Sequence, residues 1–443
     1  MFFFSEAGAV KTDDVTERVY RYDPYRTEIK SEIKQVQMKS DLEVLVLDRT
    51  PCFPTGGGQP CDRGTVTLPG SRDTGEDEKT FSIMDVYDHS LEGDVFHVTD
   101  APAGTFHPGD QVVVRLDWDR RFANMQRHLG EHLLSGALHR LYGWNNKGFH
   151  MGEEYMTIDV DVPHGPETEE KLMAGEAEVN RVIWKDLPVS VDYFENREAA
   201  SVMPVRKPIT AEGRISVVTA GDRSDPADCC ACCGTHPDST GQVGLVKIYK
   251  AESNKGMTRI FFDAGSMAMK RIDGDMGLLR EITDRFSTGS NDIMKKLDTR
   301  DEKEKELHRR VTALRDVVME SEKERMLDDM AAGGRGLAPE GGPLYTEEFR
   351  ALEADDLVKL GFALYKEGGK DGGEKLPPLT ALVDLEGKTV LLFSDGAPAC
   401  GELVKSMAKE FGGRGGGRPD NARAIFSDRR SIERFLDAVA GAI

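Results

Sequence analysis

The chain has 443 residues, of which 39% are hydrophobic and 31% charged, and its 58 Lys and Arg against 78 Asp and Glu give a formal net charge of −20. This balance suits globular domains, about three at roughly 150 residues each, and argues against wholesale disorder. It excludes nucleic-acid binding through bulk positive charge, but it is compatible with a local basic site on an acidic body.

The first part of the chain, 1–117, is predicted to form a small β-barrel or sandwich, because short β-forming stretches alternate with Gly, Pro and Asp. These stretches lie at 42–47, 81–87, 95–98 and 111–116. Between them, Gly56-Gly57-Gly58-Gln59 stands between prolines. Three consecutive glycines are unfavourable inside a strand. This segment is therefore predicted to be a loop with an exposed backbone, which we call the triple-Gly loop.

The hydrophobic period changes at residue 117. Apolar residues recur at helical spacing to about residue 142, with Asp119 as the predicted N-cap and Gly143 as the predicted end. Mixed strand and helix patterns continue beyond this helix, as expected for an α+β domain over 118–266.

The last third of the chain divides into two predicted parts. Residues 267–336 are helical and highly charged, which predicts a connector formed by a helical hairpin or a short coiled coil. Residues 337–443 are predicted to be a small α/β domain with a Gly-rich run around Arg414 and Arg418, and a disordered tail is the alternative for that run. The whole chain is therefore predicted to be an α+β multidomain protein. No stretch approaches the ~18 consecutive apolar residues of a membrane helix, so no membrane contact is expected.

Two short motifs carry metal-binding chemistry. His128 and His132 lie one turn apart inside the predicted helix, so their imidazoles face one point. Cys232 and His236 lie four residues apart a hundred positions later. Three imidazoles and a thiolate favour Zn²⁺ over magnesium or calcium. Each half alone has a simpler interpretation, namely packed histidines or a structural zinc knuckle. Four candidate ligands also leave open whether the site is closed or keeps a position for water, with His236 as a loose ligand.

Glu131 lies between the two histidines and is a candidate to orient water or move protons. Its simpler interpretation is a solvated carboxylate on the helix face. The spacing His128-x-x-Glu131-His132 also matches the inverted zinc-protease pattern. That pattern needs a further Glu as a ligand and leaves Cys232 and His236 without a role, so a metalloprotease is the less favoured alternative.

Cysteine usage indicates the compartment. Four of the seven cysteines lie at 229, 230, 232 and 233, too close together for an ordinary disulfide framework. A reducing environment and a cytoplasmic location are therefore expected.

Five motifs in one order cover nearly the whole chain. They lie at 50–60, 120–134, 146–148, 232–241 and 415–420. Together they resemble the editing part of alanyl-tRNA synthetase and its free-standing relatives, the AlaX-type editing proteins.

This resemblance implies a zinc-dependent hydrolase that deacylates tRNA(Ala) mischarged with serine, often also with glycine. It implies that His128, His132, Cys232 and His236 hold the zinc, with Cys229 and Cys230 as the fallback for the cysteine. It also implies that 337–443 serves tRNA contact and the formation of a homodimer. Such an enzyme is needed because a synthetase site sized for alanine rejects serine and glycine by only about a hundredfold.

The resemblance also implies which residues lie near the aminoacyl group. These are Gly56, Gly57, Gly58, Gln59, Asn146, Lys147, His150 and Thr235. A group that hydrogen-bonds the serine hydroxyl would be left unpaired by alanine, and Asn146, His150 and Thr235 are the candidates for it. The chain departs from the family pattern at Cys52, Thr55 and Asn146, which leaves the preference between serine and glycine open.

Basic residues are candidates for phosphate contacts despite the acidic total. Arg120, Arg121 and Arg127 flank the histidine pair, and the last 41 residues have three more positive than negative charges. Ordinary solvated surface charge is the simpler interpretation of each. Three functional alternatives to the deacylase remain: a non-catalytic tRNA-binding scaffold with a structural zinc, threonyl-tRNA-type editing, and the metalloprotease.

Overall fold

The computed structural model describes residues 15–70, 77–337, 343–368 and 376–443. It contains two compact units, 1–281 and 282–443. Residues 1–14 of the predicted barrel segment lie outside the described residues. The four-part division at 117, 266 and 336 is finer than these two units and stays a prediction.

The first unit begins with a closed barrel, which decides between the two predicted β architectures. Its six strands follow the order β2-β3-β7-β6-β5-β8, and β8 pairs back onto β2. Alternate residues of these strands point inward and form an apolar core, as the period of two requires. The elements of this segment are β1 (Glu17–Arg18), a 3₁₀ helix (Val19–Arg21), β2 (Glu28–Lys39), β3 (Leu42–Leu47), β4 (Arg49–Thr50), β5 (Gly64–Leu68), β6 (Lys79–Asp88), β7 (Val95–Thr99) and β8 (Gln111–Leu116).

The rest of the first unit is antiparallel sheet packed against two long helices. One sheet has the order β14-β15-β10-β9 and the other β11-β12-β13. The elements are α1 (Trp118–Tyr142), β9 (Asn146–Met151), β10 (Met156–Val160), α2 (Pro166–Trp184), β11 (Val189–Phe194), α3 (Arg197–Ala200), β12 (Ile215–Asp222), β13 (Asp225–Ala231), a 3₁₀ helix (Thr240–Val243), β14 (Val246–Asn254) and β15 (Met257–Ala264). Helix α4 (Gly265–Phe286) begins in the first unit and ends in the second.

Helix α1 is the element that positions the histidine pair. Its N-cap is Asp117, whose carboxylate accepts a 3.1 Å hydrogen bond from the Arg120 backbone N–H, so the prediction of Asp119 as the cap is wrong. Gly143 ends the helix at φ 71°, as predicted. A Cβ at Gly136 would lie 2.6 Å from the Ala227 carbonyl oxygen. Glycine at this position therefore lets α1 approach β13 closely.

Two of the arginines predicted to contact phosphate instead hold α1 in place. Arg121 is fully buried and pairs with Asp62 in the barrel, with its Nε 3.0 Å from Asp62 Oδ1. Arg127 is buried and pairs with Asp263 on β15 at 2.7 Å. The phosphate prediction is wrong for both, because a buried cation must be paired inside the protein.

The second unit is a five-stranded sheet with helices on both faces. Its order is β16-β17-β18-β20-β19, with β16 and β17 parallel and the other pairs antiparallel. Residues of β17 and β18 are buried on both faces, and these strands are apolar apart from Thr380, Asp384 and Thr389. The elements are a 3₁₀ helix (Ser290–Asp292), α5 (Ile293–Ala331), β16 (Leu344–Phe349), α6 (Ala354–Gly368), β17 (Leu379–Asp384), β18 (Thr389–Phe393), α7 (Cys400–Met407), a 3₁₀ helix (Ala408–Phe411), β19 (Arg414–Gly417), β20 (Asn421–Ile425) and α8 (Arg429–Ala440).

The Gly-rich run is an edge strand of this sheet, since β19 pairs with β20 from Arg414 to Gly417. The alternative of a disordered tail is therefore wrong. The α+β multidomain class and the barrel are confirmed. Across the described ranges, no helix is long and apolar enough to cross a membrane.

Candidate metal centre

Helix α1 and the segment that follows β13 bring four potential metal ligands together. One ligand atom from each of His128, His132, Cys232 and His236 lies within 4.8 Å of the others. Cys232 Sγ is 3.2 Å from His128 Nε2 and 3.6 Å from His236 Nε2. Two motifs a hundred residues apart in the sequence therefore meet at one point.

The spacing of these atoms fits a tetrahedral zinc site. Zn–S bonds of about 2.3 Å and Zn–N bonds of about 2.0–2.1 Å at tetrahedral angles separate sulfur and nitrogen by about 3.6 Å. The sulfur–nitrogen distances of 3.2 and 3.6 Å lie close to that value. A thiolate with imidazoles is also the mixed N/S donor set that zinc accepts. The residues therefore fit the predicted ion.

The outer nitrogens of the α1 histidines are held by buried partners. His128 Nδ1 donates to Gln59 Oε1 at 2.8 Å, and His132 Nδ1 lies 3.1 Å from Asp228 Oδ2. Each contact leaves the Nε2 of its imidazole free to face a metal, as is usual for metal-binding histidines. In contrast, His236 Nδ1 is buried with no hydrogen-bond partner among the described residues. His236 is thus the least firmly held of the four.

Gln59 ties the triple-Gly loop of the barrel to the metal segment. It is fully buried, its Oε1 also accepts from the Thr235 backbone N–H at 3.1 Å, and its amide donates to Thr235 Oγ1 at 2.9 Å. Both polar atoms of the Gln59 amide are therefore used inside the protein. The sequence predicts that Gln59 binds the substrate. In the structure its side chain contacts His128 Nδ1 and fixes the orientation of that imidazole.

Asp228 is the corresponding partner of His132. Its second oxygen accepts from Arg206 Nε at 2.6 Å. Burial raises the pKa of the Asp228 carboxyl, but His132 and Arg206 lower it by more, so its pKa lies below the usual value. Burial lowers the pKa of His132, but Cys230, Cys232 and Asp228 outweigh it, so this pKa lies well above the usual value. The carboxylate and the imidazole therefore attract each other strongly.

The neighbouring cysteines of the cluster have different surroundings. Burial raises the pKa of the Cys232 thiol, but the imidazoles of His128, His236 and His132 lower it by more, so that it lies well below the usual value. Burial raises the pKa of Cys230 to about 11. Cys230 Sγ lies 3.1 Å from His132 Nδ1, in a second group with His132 and Asp228. Cys229 contacts Thr219 Oγ1 instead, at 3.5 Å.

The triple-Gly loop packs directly against the metal segment. Gly57 and Gly58 have φ of 60° and 83°, which favours glycine. A Cβ at Gly57 would lie 2.8 Å from Cys233 Sγ, and one at Gly58 would lie 2.6 Å from the Phe149 ring. Side chains at either position would push the loop away from this contact.

Glu131 and Asn146 form an internal network beside the centre. Glu131 is buried, and its Oε1 accepts from Ser135 Oγ at 2.6 Å and from Asn146 Nδ2 at 2.7 Å. The interpretation of Glu131 as a solvated carboxylate is therefore wrong. Asn146 Oδ1 also accepts from the Gly148 backbone N–H at 2.9 Å, so the Asn146 amide is engaged at both ends.

Two of the predicted substrate-binding residues face solvent on β9. Lys147 and His150 are exposed, and Lys147 Nζ lies 3.3 Å from Asp161 Oδ2. Neither residue lines either of the two cavities that border the metal segment.

These two adjoining cavities, which we call the cleft, border the metal segment. Both are lined by Tyr20, Arg21, Val191, Tyr193, Cys233 and Gly234. Cys232 and Gly56 line one cavity, and Thr235 and His236 line the other. Two of the four candidate ligands, Cys232 and His236, therefore line a surface depression.

Sequence reasoning missed Asp228 and Arg206. Asp228 lies on β13, where every second side chain points to the same side of the strand. Asp228, Cys230 and Cys232 therefore face α1, whereas Cys229 points away. This alternation is the signal that could have identified Asp228. Because the cysteine cluster at 229–233 was predicted to be a turn, this alternation was not considered. Arg206 lies in a loop and has no such pattern.

A barrel followed by an α+β unit with a His/His and Cys/His centre defines an editing domain of the synthetase type. The family model "Threonyl and Alanyl tRNA synthetase second additional domain" matches residues 215–261, and "tRNA synthetases class II (A)" matches residues 9–120. The alanyl-tRNA editing protein AlaX-L of Pyrococcus horikoshii is 30% identical over 419 residues, which cover 92% of this chain and 94% of that protein. The chain belongs to the family of alanyl-tRNA editing proteins.

Other relatives match this chain over only part of their own length. The alanyl-tRNA editing protein Aarsd1 of Rattus norvegicus is 32% identical over 251 residues, or 56% of this chain and 55% of that protein. The alanine–tRNA ligase of Ignicoccus hospitalis is 26% identical, over 96% of this chain but 43% of the ligase. The predicted family is confirmed, and with it the prediction of a hydrolase.

Proposed function

We propose that the chain is a zinc-dependent deacylase of tRNA(Ala) mischarged with serine, and that glycyl-tRNA(Ala) is its second substrate. The observation that carries this proposal is the convergence of His128, His132, Cys232 and His236 on one point beside a cleft, in a member of the alanyl-tRNA editing family. The substrate is an activated ester on the terminal adenosine of the tRNA, and its hydrolysis removes the wrong amino acid.

The protein residues prepare the site before the substrate arrives. A Zn²⁺ held by the four ligands would supply Lewis acidity toward the ester carbonyl and make water more acidic. Gln59 and Asp228 fix the orientation of His128 and His132. Gly56 of the triple-Gly loop lines the cleft, but its N–H donates to the Gln59 carbonyl at 3.1 Å, so at this point the loop contributes shape rather than a hydrogen-bond donor. Glu131 has a positioning role through Asn146.

Thr235 is the best supported partner for the hydroxyl of serine. It lines the cleft next to His236, whereas Asn146 is engaged at both ends and His150 is exposed. Thr235 Oγ1 accepts from Gln59 Nε2, so its own hydroxyl hydrogen remains to be donated. Alanine would leave this donor unpaired, which disfavours correctly charged tRNA(Ala).

The second unit is proposed to contact tRNA and to form a homodimer. Arg414 and Arg418 are exposed on and next to the edge strand β19, where phosphate groups can reach them. The cytoplasmic location stays a prediction that goes with a role in translation.

The alternatives have less support. The inverted zinc-protease pattern needs Glu131 near the metal reaction, but Glu131 is bonded to Ser135 and Asn146, and Cys232 and His236 join the histidines instead. Threonyl-tRNA editing shares the family model that matches 215–261, whereas the relatives described above are all alanyl-specific by name. A structural-zinc scaffold would lack hydrolysis.

A deacylation panel tests the proposal. The zinc-loaded chain is mixed with Ser-, Gly- and Ala-tRNA(Ala), and with Ser-tRNA(Thr) for the threonyl alternative. Serine should be released from tRNA(Ala) fastest and alanine slowest, and chelation of the metal should abolish release. Equal release of serine and alanine, or full release after the metal is removed, would contradict the proposal.

A further inference from the structure

One face of strand β11 exposes an apolar and aromatic surface in the cleft. Val189, Val191 and Tyr193 alternate along the strand and line the same cavity. Val191 and Tyr193 remain 38% and 40% exposed, and Tyr22, which lines the same cavity, is 64% exposed. Exposed apolar patches of this kind are typical of binding sites rather than of solvent-facing surface.

A locally uncompensated cation lies beside this surface. The Arg214 guanidinium is 5.5 Å from the centroid of the Tyr193 ring, and it forms no ion pair with any residue that the structure describes. The other cleft arginines are paired, Arg18 with Asp88 at 2.6 Å and Arg21 with Glu92 at 3.3 Å. The one further carboxylate of the cleft, Asp238, lies in the cavity of His236. Aromatic rings with an adjacent free arginine suit an unpaired base and its phosphate.

The strand register sets the distance from this surface to the metal ligands. Tyr193 pairs with Ser216 on β12, and the Cys232 backbone N–H donates to the Ser216 carbonyl at 3.0 Å. Tyr193 and Cys232 are thus two strand spacings apart, about 10 Å. One nucleoside with an ester on its ribose spans such a distance, with the base at one end and the reacting carbonyl at the other.

We propose that Tyr193 and Arg214 bind the terminal adenosine of the tRNA. The base stacks on the Tyr193 ring, and Arg214 holds the adjoining phosphate. Tyr193 is itself anchored, because its hydroxyl donates to the Arg21 carbonyl at 2.7 Å. The proposal deepens the proposed function and rests on it for the identity of the substrate.

Binding of uncharged tRNA(Ala) tests the proposal without requiring hydrolysis. Two forms of the tRNA are compared, one complete and one lacking only the terminal adenosine. The wild-type chain should bind the complete form about five- to a hundredfold more tightly, which is the usual contribution of one stacked base. Tyr193→Ala should lose most of this difference and keep only the part that Arg214 supplies through the phosphate, whereas Tyr193→Phe, which keeps the ring, should retain most of it.

Matched variants separate this role from a general loss of structure. Tyr155→Ala removes a tyrosine of similar exposure, 38%, that lies outside the cleft, and it should keep the full difference between the two tRNAs. Arg214→Ala should weaken binding and reduce its dependence on salt. A wild-type chain that does not distinguish the two tRNAs, or a difference that persists undiminished in Tyr193→Ala, would overturn the proposal.

Kinetics with Ser-tRNA(Ala) adds a second readout. Tyr193→Ala should raise KM by a factor similar to the lost binding and leave kcat within about twofold, since the ring is remote from the reacting carbonyl. An equal loss in kcat would place Tyr193 in a structural role instead. Absence of hydrolysis by the wild-type chain would refute the proposed function, while the binding comparison would still decide the role of Tyr193.

Discussion

Cys230 and Cys232 are two residues apart and face the same helix, yet the pKa values of their thiols are shifted in opposite directions. Cys232 lies among three imidazoles, which hold its pKa well below the usual value. Cys230 is more deeply buried and lies near the Asp228 carboxylate, and its pKa is raised to about 11. The charges around a thiol, rather than the residue type or the motif, thus decide which cysteine suits a metal.

The largest expected effect is the loss of Cys232. Cys232→Ala removes the thiolate from the four-ligand group, so zinc affinity and the rate of serine release should fall by more than about a hundredfold. Substitution of a residue that only hydrogen-bonds a ligand costs about 10- to 100-fold, so the loss of a ligand should cost more. Cys230→Ser should retain one zinc per chain and most of the hydrolysis. Metal analysis and a deacylation assay measure both. An equal loss of zinc and of hydrolysis in the two variants would contradict the assignment of Cys232 alone as the cysteine ligand.

Asp228→Asn should have the next largest effect. The amide cannot attract the His132 imidazole as the carboxylate does, so zinc affinity should fall about 10- to 100-fold. Competition with a chromogenic chelator measures this change. Asp192→Asn is the matched control, since Asp192 lies on β11 of the same sheet and pairs with Arg223, in the turn between β12 and β13. Unchanged zinc affinity in Asp228→Asn would contradict the role of this carboxylate.

Gln59→Leu should act on the other histidine. It removes the acceptor of His128 Nδ1 but keeps the volume of the side chain, so zinc affinity should fall by about tenfold, near the lower end of the same range.

The pH dependence of zinc binding is a further test of the ligand set. The Cys232 pKa lies well below its usual value, so this thiol loses its proton more readily than an ordinary one, whereas the His132 pKa lies well above its usual value, so zinc must displace a proton from that imidazole. Wild-type zinc affinity should therefore weaken as the pH is lowered through the neutral range, and an affinity that does not change there would contradict the raised pKa of His132.

Thr235→Val should have the most selective effect. It removes the hydroxyl near His236 and keeps the shape of the side chain, so kcat/KM for Ser-tRNA(Ala) should fall about tenfold or more while Gly-tRNA(Ala) is hydrolysed as before. Parallel assays with the two tRNAs measure the ratio. An equal loss with both tRNAs would place Thr235 in support of Gln59 rather than in contact with the substrate.

Much of the fold follows from periodicity. The predicted strands 42–47 and 111–116 match β3 and β8 to the residue, and the helix that ends at Gly143 begins two residues earlier than predicted. Strand β13 was missed, because its polar and cysteine-rich sequence lacks the β-branched residues that usually mark a strand. The error at Asp119 was one of register, since Asp117 is also a capping residue type.

The candidate ligands could be found in the sequence, but their partners could not. Gln59 and Asp228 are 69 and 96 residues from the histidines that they contact, and the pairing depends on how the barrel and β13 pack on α1. For Arg121 and Arg127 the sequence prediction of phosphate contacts was wrong for the same reason. A basic residue next to a motif gives no sign that it is buried until its carboxylate partner is known, and those partners lie in distant parts of the sequence.

The ligand set itself gives the most direct test of the metal centre. X-ray absorption spectroscopy of the zinc-loaded chain should detect one sulfur at about 2.3 Å and nitrogen ligands at about 2.0–2.1 Å. Cys230→Ser should leave that spectrum unchanged, and Cys232→Ala should remove the sulfur. Two sulfur ligands in the wild-type chain, or a single sulfur that survives in Cys232→Ala, would contradict the assignment of the centre to His128, His132, Cys232 and His236.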